Sequence, residues 1–214
     1  MNAVDEFVVY DNIEFTKKGW INRNRILVND TDAFFTLPMK KDSDYLNVAD
    51  RYLADVWPQE RKKMLNRIVE SYRKAPYFKA ALPLIDECFL FEETNLFRFI
   101  FHSLQKIKDY LRIRAELTIS SSIPINHNLR GEEKVISICI AMNSTTYINP
   151  FGGVDLYNAD YFRSNGVELY FLKANPISYN QFTGVFVPWL SLIDVMMFNS
   201  KEEIGLMLKE YSII

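Results

Sequence analysis

The sequence predicts an α/β fold: a mostly parallel sheet flanked by helices, with a helical segment in the middle of the chain. Three observations predict it. Apolar residues make up 49% and charged residues 24% of the 214 residues, a globular composition with enough material for one sizeable core. The central third carries apolar residues at helical spacing. The second half alternates short β-branched runs with helical periodicity, and strand–helix–strand order favours parallel pairing.

Taken in order, residues 7–10 form a short apolar run, and residues 13–17 follow an Asp-Asn turn signal. Residues 33–37 are a third strand, ended by Pro38. Residues 40–44 are charged and read as a loop. Pro58 suits the first position of a helix running to about Lys74, with Met64, Ile68, Val69 and Tyr72 on one face. Pro76 ends it, and residues 77–91 read as a second helix. Thr94 is the N-cap expected for a third, whose apolar face holds Leu96, Phe97, Ile100, Leu104, Ile107 and Leu111. Residues 117–120 read as a strand, 132–142 as a helix, 145–148 as a buried strand, 152–162 as a helix and 167–172 as a strand. Residues 190–199 and 202–211 close the chain as helices. The whole reads as one domain.

The formal net charge is −2. That argues against a domain built mainly to grip nucleic acid. Cys88 and Cys139 both sit in apolar runs and read as buried thiols rather than a disulfide framework. No run reaches the length of a membrane span, and the N-terminus has no signal-peptide pattern, so the cytoplasm is the expected location. His102 reads as a satisfied core or boundary side chain and His127 as part of a polar loop. No metal-ligand spacing joins them to the cysteines, so no metal site is predicted. No cofactor is legible.

Several clusters have chemistry to offer. Lys17, Trp20, Asn22, Arg23, Asn24 and Arg25 lie within nine positions. Forked guanidinium donors suit phosphate, and an indole or arginine face can stack on a base or sugar. The bland alternative is a surface loop of solvated charges. In a strand, Asn22 and Asn24 would face one way and Arg23 and Arg25 the other, so only one pair could enter a given cleft. Tyr147 leads through Asn149 and Pro150 to Gly152 and Gly153. This is either an anion-holding helix start or a tight turn that needs glycine for its backbone angles. Neither phosphate-loop nor dinucleotide spacing is present. Ser120, Ser121 and Ser122 follow a strand and read as turn and cap chemistry, or as part of a sheet-edge site. Asp11 and Asp194 are the acidic candidates for a base or an orienting group. Asp194 lies in an apolar helix, where a carboxylate needs a partner. The bland alternative to a catalytic role is that Asp194 is a buried partner for the arginine of the Asn22–Asn24 segment.

Four segments resemble the WbqC-like family of bacterial surface-polysaccharide gene clusters. They are residues 11–26, with Trp20, Asn22, Arg23 and Ile26 in the family's spacing; residues 35–38, followed by Trp57 and residues 72–78; residues 146–153, with Leu156 and Tyr157; and residues 186–194. Their order along the chain tells more than any one of them. Two departures stand out. Members usually begin with an extra strand and turn about twenty residues earlier, so this chain is expected to lack that strand. A histidine of the family pattern falls near Arg61 here.

The resemblance implies a role in O-antigen and lipopolysaccharide assembly: a transferase placing glycine or a small acyl group on a nucleotide-linked amino sugar. The family's opening turn also resembles nucleotidylyltransferase-like folds, which would make activation of a small carboxylic acid as an adenylate coherent. In that reading Arg23 and Arg25 hold phosphates, Asn22 and Asn24 orient sugar or acyl donor, and Asp11 or Asp194 serves as base. Tyr147 or an amide near Gly152 would face the oxyanion. The alternatives are a non-catalytic nucleotide-sugar or partner-binding protein and an inactive truncated member.

Overall fold

The computed structural model describes residues 1–182 and 184–214. In chain order the first half contains strands β1 (Glu6–Val9), β2 (Arg23–Val28) and β3 (Thr31–Thr36). Helices α1 (Trp57–Tyr72), α2 (Phe78–Phe89) and α3 (Leu96–Tyr110) follow. The second half contains β4 (Glu116–Ile119), α4 (Gly131–Ala141), β5 (Thr146–Pro150), α5 (Ala159–Ser164) and β6 (Glu168–Ala174). It ends with α6 (Leu192–Phe198), α7 (Lys201–Met207) and β7 (Tyr211–Ile213).

The fold is mixed α/β, with the predicted run of helices in the middle. The strands do not join into one mostly parallel sheet. Among the described residues they form three small ones: β1–β4 parallel, β2–β3 antiparallel, and β5–β6–β7. In the last, β5 and β6 are parallel while β7 returns antiparallel along β6.

The chain divides into two compact units. The first comprises Met1–Tyr10, Ala115–Pro176 and Leu208–Ile214. Its core gathers Val135, Ile136 and Cys139 of α4 with Phe162 of α5 and Val167, and Tyr147, Tyr157 and Leu169 pack against it. The helix expected over residues 152–162 is split. A 3-10 turn spans Phe151–Leu156, and α5 starts afresh where the Asn158 side chain accepts the Asp160 and Tyr161 amides. The final helix also ends early, at Met207, because residues 211–213 extend and pair with β6.

The second unit comprises Asp11–Arg114 and Ile177–Met207. The β2–β3 hairpin turns on Asn29 and Asp30, with φ of 50° and 59°. Two consecutive residues at positive φ match the right-handed twist of the strands they join. The strand expected over residues 13–17 is reduced to one bridge, between Glu14 and Asn47, because the chain turns at once where the Gly19 amide bonds the Thr16 carbonyl. Helices α1, α2, α3 and α6 bury Trp57, Ile68, Tyr72, Ala81, Ile85, Leu96, Met196 and Met197. Asn95, not Thr94, caps α3 by accepting the Arg98 amide. No helix among the described residues is long and apolar enough to cross a membrane.

Candidate functional site

The hairpin sorts its side chains by the two-residue period of a strand. Arg23 lies opposite Thr36, and Arg25 opposite Phe34. These four share one face. Asn24 lies opposite Phe35 on the other face, and Phe35 packs on Phe89 of α2. The arginines and Asn24 therefore part company as the alternation predicts. Asn24 turns its side-chain oxygen to the Arg25 amide.

Thr36 and Asn22 help line a cavity of about 750 Å³. Its wall includes Phe15, Lys17, Leu37, Pro38 and the loop from Met39 to Tyr45, with Arg51. Lys17, Lys40, Lys41 and Arg51 face Asp42 and Asp44, an excess of two positive charges. Lys17 pairs with Asp44, and Lys40 with Asp55 at 3.0 Å. Asn22 is buried. Its Nδ2 donates to the Leu37 carbonyl at 2.9 Å, while its Oδ1 has no partner.

Arg51 is the residue that sequence reasoning missed. It is only 3% exposed, and its guanidinium carbon lies 4.9 Å from the Phe15 ring centroid. Its two terminal nitrogens donate to the carbonyls of Ser43 (2.9 Å) and Lys40 (3.3 Å), fastening the charged loop, and Nε has no partner. No carboxylate pairs with it among the described residues. Buried charges are ordinarily paired. This one is balanced by carbonyl dipoles and the Phe15 ring face, on the wall of a cavity with a cationic surplus.

Beside Thr36 the same hairpin face carries exposed aromatics. Trp20 (58% exposed) stacks on Phe34 (49% exposed) with ring centroids 5.8 Å apart. The Arg23 guanidinium lies 5.3 Å from the Trp20 centroid and 5.5 Å from Phe34, and Arg25 lies 5.7 Å from Trp20. Arg23 also donates to the Lys18 carbonyl. Arg25 pairs with Asp32 at 3.2 Å and donates to the Trp189 carbonyl at 2.9 Å.

Asp194 does not pair with an arginine. Fully buried in α6, it accepts the hydroxyls of Tyr72 (2.7 Å) and Tyr179 (2.6 Å) and the Gln181 amide (2.8 Å). The arginines are drawn instead to the hairpin's outer face by Trp20, Asp32 and the Trp189 carbonyl. Burial raises the Asp194 pKa, and its three donors work against that rise. Burial and the neighbouring Asp194 charge raise both tyrosines. Tyr179 and Gln181 in turn line a second cavity of about 350 Å³ with Asn180, Phe182, Gly184 and Phe186. Asp11 is buried, and its carbonyl accepts the Ala49 amide at 3.0 Å.

The sequence profile of the WbqC-like protein family matches residues 1–205. The chain belongs to the WbqC-like family. It is 24% identical over 197 residues to Rv1507c of Mycobacterium tuberculosis, an uncharacterised protein, with 90% of this chain and 83% of that one covered. No solved structure matches.

In this WbqC-like chain the remaining predicted site residues belong to the other unit. Tyr147 donates to Asn149 Oδ1 at 2.9 Å and stacks on Phe162. Gly152 and Gly153 have no positive φ, so the turn does not use them for special backbone angles. Gly153 sits at a close approach, since a Cβ there would displace Asn149 Nδ2, the end of a half-buried side chain, whereas at Gly152 it would meet open space. Ser120–Ser122 forms a 3-10 turn in which the Ser122 hydroxyl bonds the Ile119 carbonyl. Both cysteines are buried free thiols whose pKa burial pushes up to about 11. His102 stacks on Phe91 at 3.8 Å, but its Nε2 is buried without a partner, so it is less satisfied than expected. No group of three His, Cys, Asp or Glu among the described residues could hold a metal ion.

Proposed function

We propose that this WbqC-like protein binds a nucleotide-linked amino sugar in the Lys17–Arg51 cavity and transfers glycine or a small acyl group to its amine, as a step in surface-polysaccharide assembly. The observation that carries the reading is Arg51: a buried guanidinium without a carboxylate, on the wall of a net-cationic cavity. A diphosphate would supply the missing negative charge, with Lys17, Lys40 and Lys41 at its edges. Asn22 adds an amide for the amine- or hydroxyl-bearing sugar, which both donates and accepts. The family's association with polysaccharide clusters supports the same substrate class.

Transfer bonds the amine nitrogen to the acyl carbon as the donor's leaving group departs, and the amine must lose a proton. Asp42 and Asp44 are the carboxylates on the cavity wall and take the role of base in this reading. Asp194 serves as an orienting group for Tyr179 and Gln181. A second reading, binding without catalysis, is favoured by one observation: Asp11 and Asp194 are both buried and neither lines this cavity.

A thermal-shift screen against nucleotide-linked amino sugars, with and without acetyl-CoA or glycine plus ATP, tests the proposal. A rise in melting temperature that is reduced in Lys41→Ala and lost in Arg51→Gln supports the cavity. Transfer of label from donor to sugar then separates enzyme from binder. No shift from any nucleotide sugar in a cooperatively melting protein sinks the reading.

A further inference from the structure

We infer that the exposed Trp20–Phe34 pair, with Arg23 and Arg25, is the platform on which the ligand's nucleobase stacks, so that the diphosphate lies at the cavity and the base on the hairpin face beside it. The inference deepens the function proposed above and rests on it for the placement of the phosphates.

Three observations carry it. The first is continuity. Thr36 lines the cavity, and Phe34 lies two residues away on the same strand face, a separation of about 7 Å. That separation is within the reach of a nucleoside phosphate. The segment before β2 makes the same connection, since Asn22 lines the cavity while Trp20 belongs to the platform.

The second is the surface itself. Large aromatics are costly to leave in water, yet Trp20 and Phe34 are about half exposed and lie near parallel, at an interplanar angle of 27°. Their packing on each other still leaves ring area open. A flat, electron-poor heterocycle is the partner that such a surface stacks best, and arginine planes extend the stack.

The third is the arginines. The Nε atoms of both Arg23 and Arg25 are buried with no hydrogen-bond partner. Each guanidinium nevertheless stays over the indole. Arg25 is fixed by Asp32 and by the Trp189 carbonyl. Trp189 is itself 69% exposed and holds a φ of +60°, a conformation an L-residue adopts only under restraint. The hairpin face is thus held in place rather than left as a loose solvated surface.

Calorimetric titration with inorganic pyrophosphate, UDP and ADP tests the inference, using the full chain and its Trp20→Ala and Trp20→Phe variants. The parent is expected to bind the better nucleoside diphosphate at least tenfold more tightly than pyrophosphate, the range that base–aromatic stacking supplies. Trp20→Ala is expected to erase that advantage while keeping the pyrophosphate affinity, and Trp20→Phe to restore most of it. Pyrophosphate binding together with a Trp20→Ala variant that holds both nucleotides as tightly as the parent overturns the nucleobase platform alone. Absence of binding by all three probes to the folded parent overturns the cavity reading, and the platform with it.

Discussion

The Tyr72 hydroxyl donates to Asp194 at 2.7 Å while accepting the Leu27 amide at 2.7 Å. One oxygen therefore ties the end of α1 to the buried carboxylate of α6 and to strand β2. The arrangement explains how a fully buried aspartate persists in an apolar helix. Its charge is spread over three donors, and no cation is needed.

Tyr72→Phe removes that oxygen and leaves both the Leu27 amide and one Asp194 lone pair unsatisfied. The expected loss is about 2–4 kcal/mol, because an orphaned buried donor costs more than the net value of the bond it made. Urea unfolding measures it. A loss within about 0.5 kcal/mol, the range of an ordinary surface substitution, would show that water replaces the hydroxyl and that the network is not a structural tie.

Gly153→Ala is expected to destabilise the first unit by about 0.5–1.5 kcal/mol, the net value of a hydrogen bond, because the new Cβ pushes Asn149 Nδ2, the end of a half-buried side chain, away from the Pro150 carbonyl. Gly152→Ala meets open space and is expected to be neutral or slightly stabilising. Thermal melts of the two variants side by side decide the matter. Equal effects would refute the close-approach explanation.

Trp189→Gly relieves a left-handed backbone at little cost in burial. Glycine adopts that φ freely but loses more chain entropy on folding. The two effects leave an expected net gain of up to about 1 kcal/mol. A clear drop in melting temperature would instead show that the exposed indole makes contacts worth more than the strain.

Cys88 and Cys139 set an alkaline limit. Both thiols ionise near pH 9 when unfolded, and burial holds them protonated to about pH 11 in the fold. The folded state binds the extra protons in that window. The stability they contribute is therefore complete below pH 9 and lost as the pH rises through about 11. Each thiol accounts for about 1.4 kcal/mol per pH unit across the window. Cys88→Ala/Cys139→Ala is expected to flatten the fall in melting temperature between pH 9 and 11. The buried tyrosines add to the fall from about pH 10, where an unfolded tyrosine ionises, and Tyr10, raised to about 12, carries it beyond the thiol window. An unchanged slope would show that the thiols do not report on the folded core.

The parts of the site that were legible in the sequence are those governed by local rules. A two-residue period was enough to separate Asn24 from Arg23 and Arg25, and the residue types at Lys17 and Asn22 announced polar recognition. Arg51 gave no such signal. It stands between Asp50 and Tyr52 in a short turn, and nothing local tells a solvated arginine there from a buried one. Its burial follows from Phe15, 36 residues earlier, and from the Lys40–Ser43 carbonyls that close over it.

The helical middle of the chain, most of its strands, the buried thiols and the family are written in periodicity or in ordered motifs, and local rules suffice to read them. How the strands divide depends on contacts between segments far apart in the chain. Tyr211 reads as the end of the closing helix, yet residues 211–213 pair with β6, since an exposed strand edge offers hydrogen bonds that the last helical turn could not match. The partners of Asp194 were decided in the same way. Tyr72 lies 122 residues from it in the chain, and only packing of α1 against α6 brings that hydroxyl, rather than an arginine, to the carboxylate.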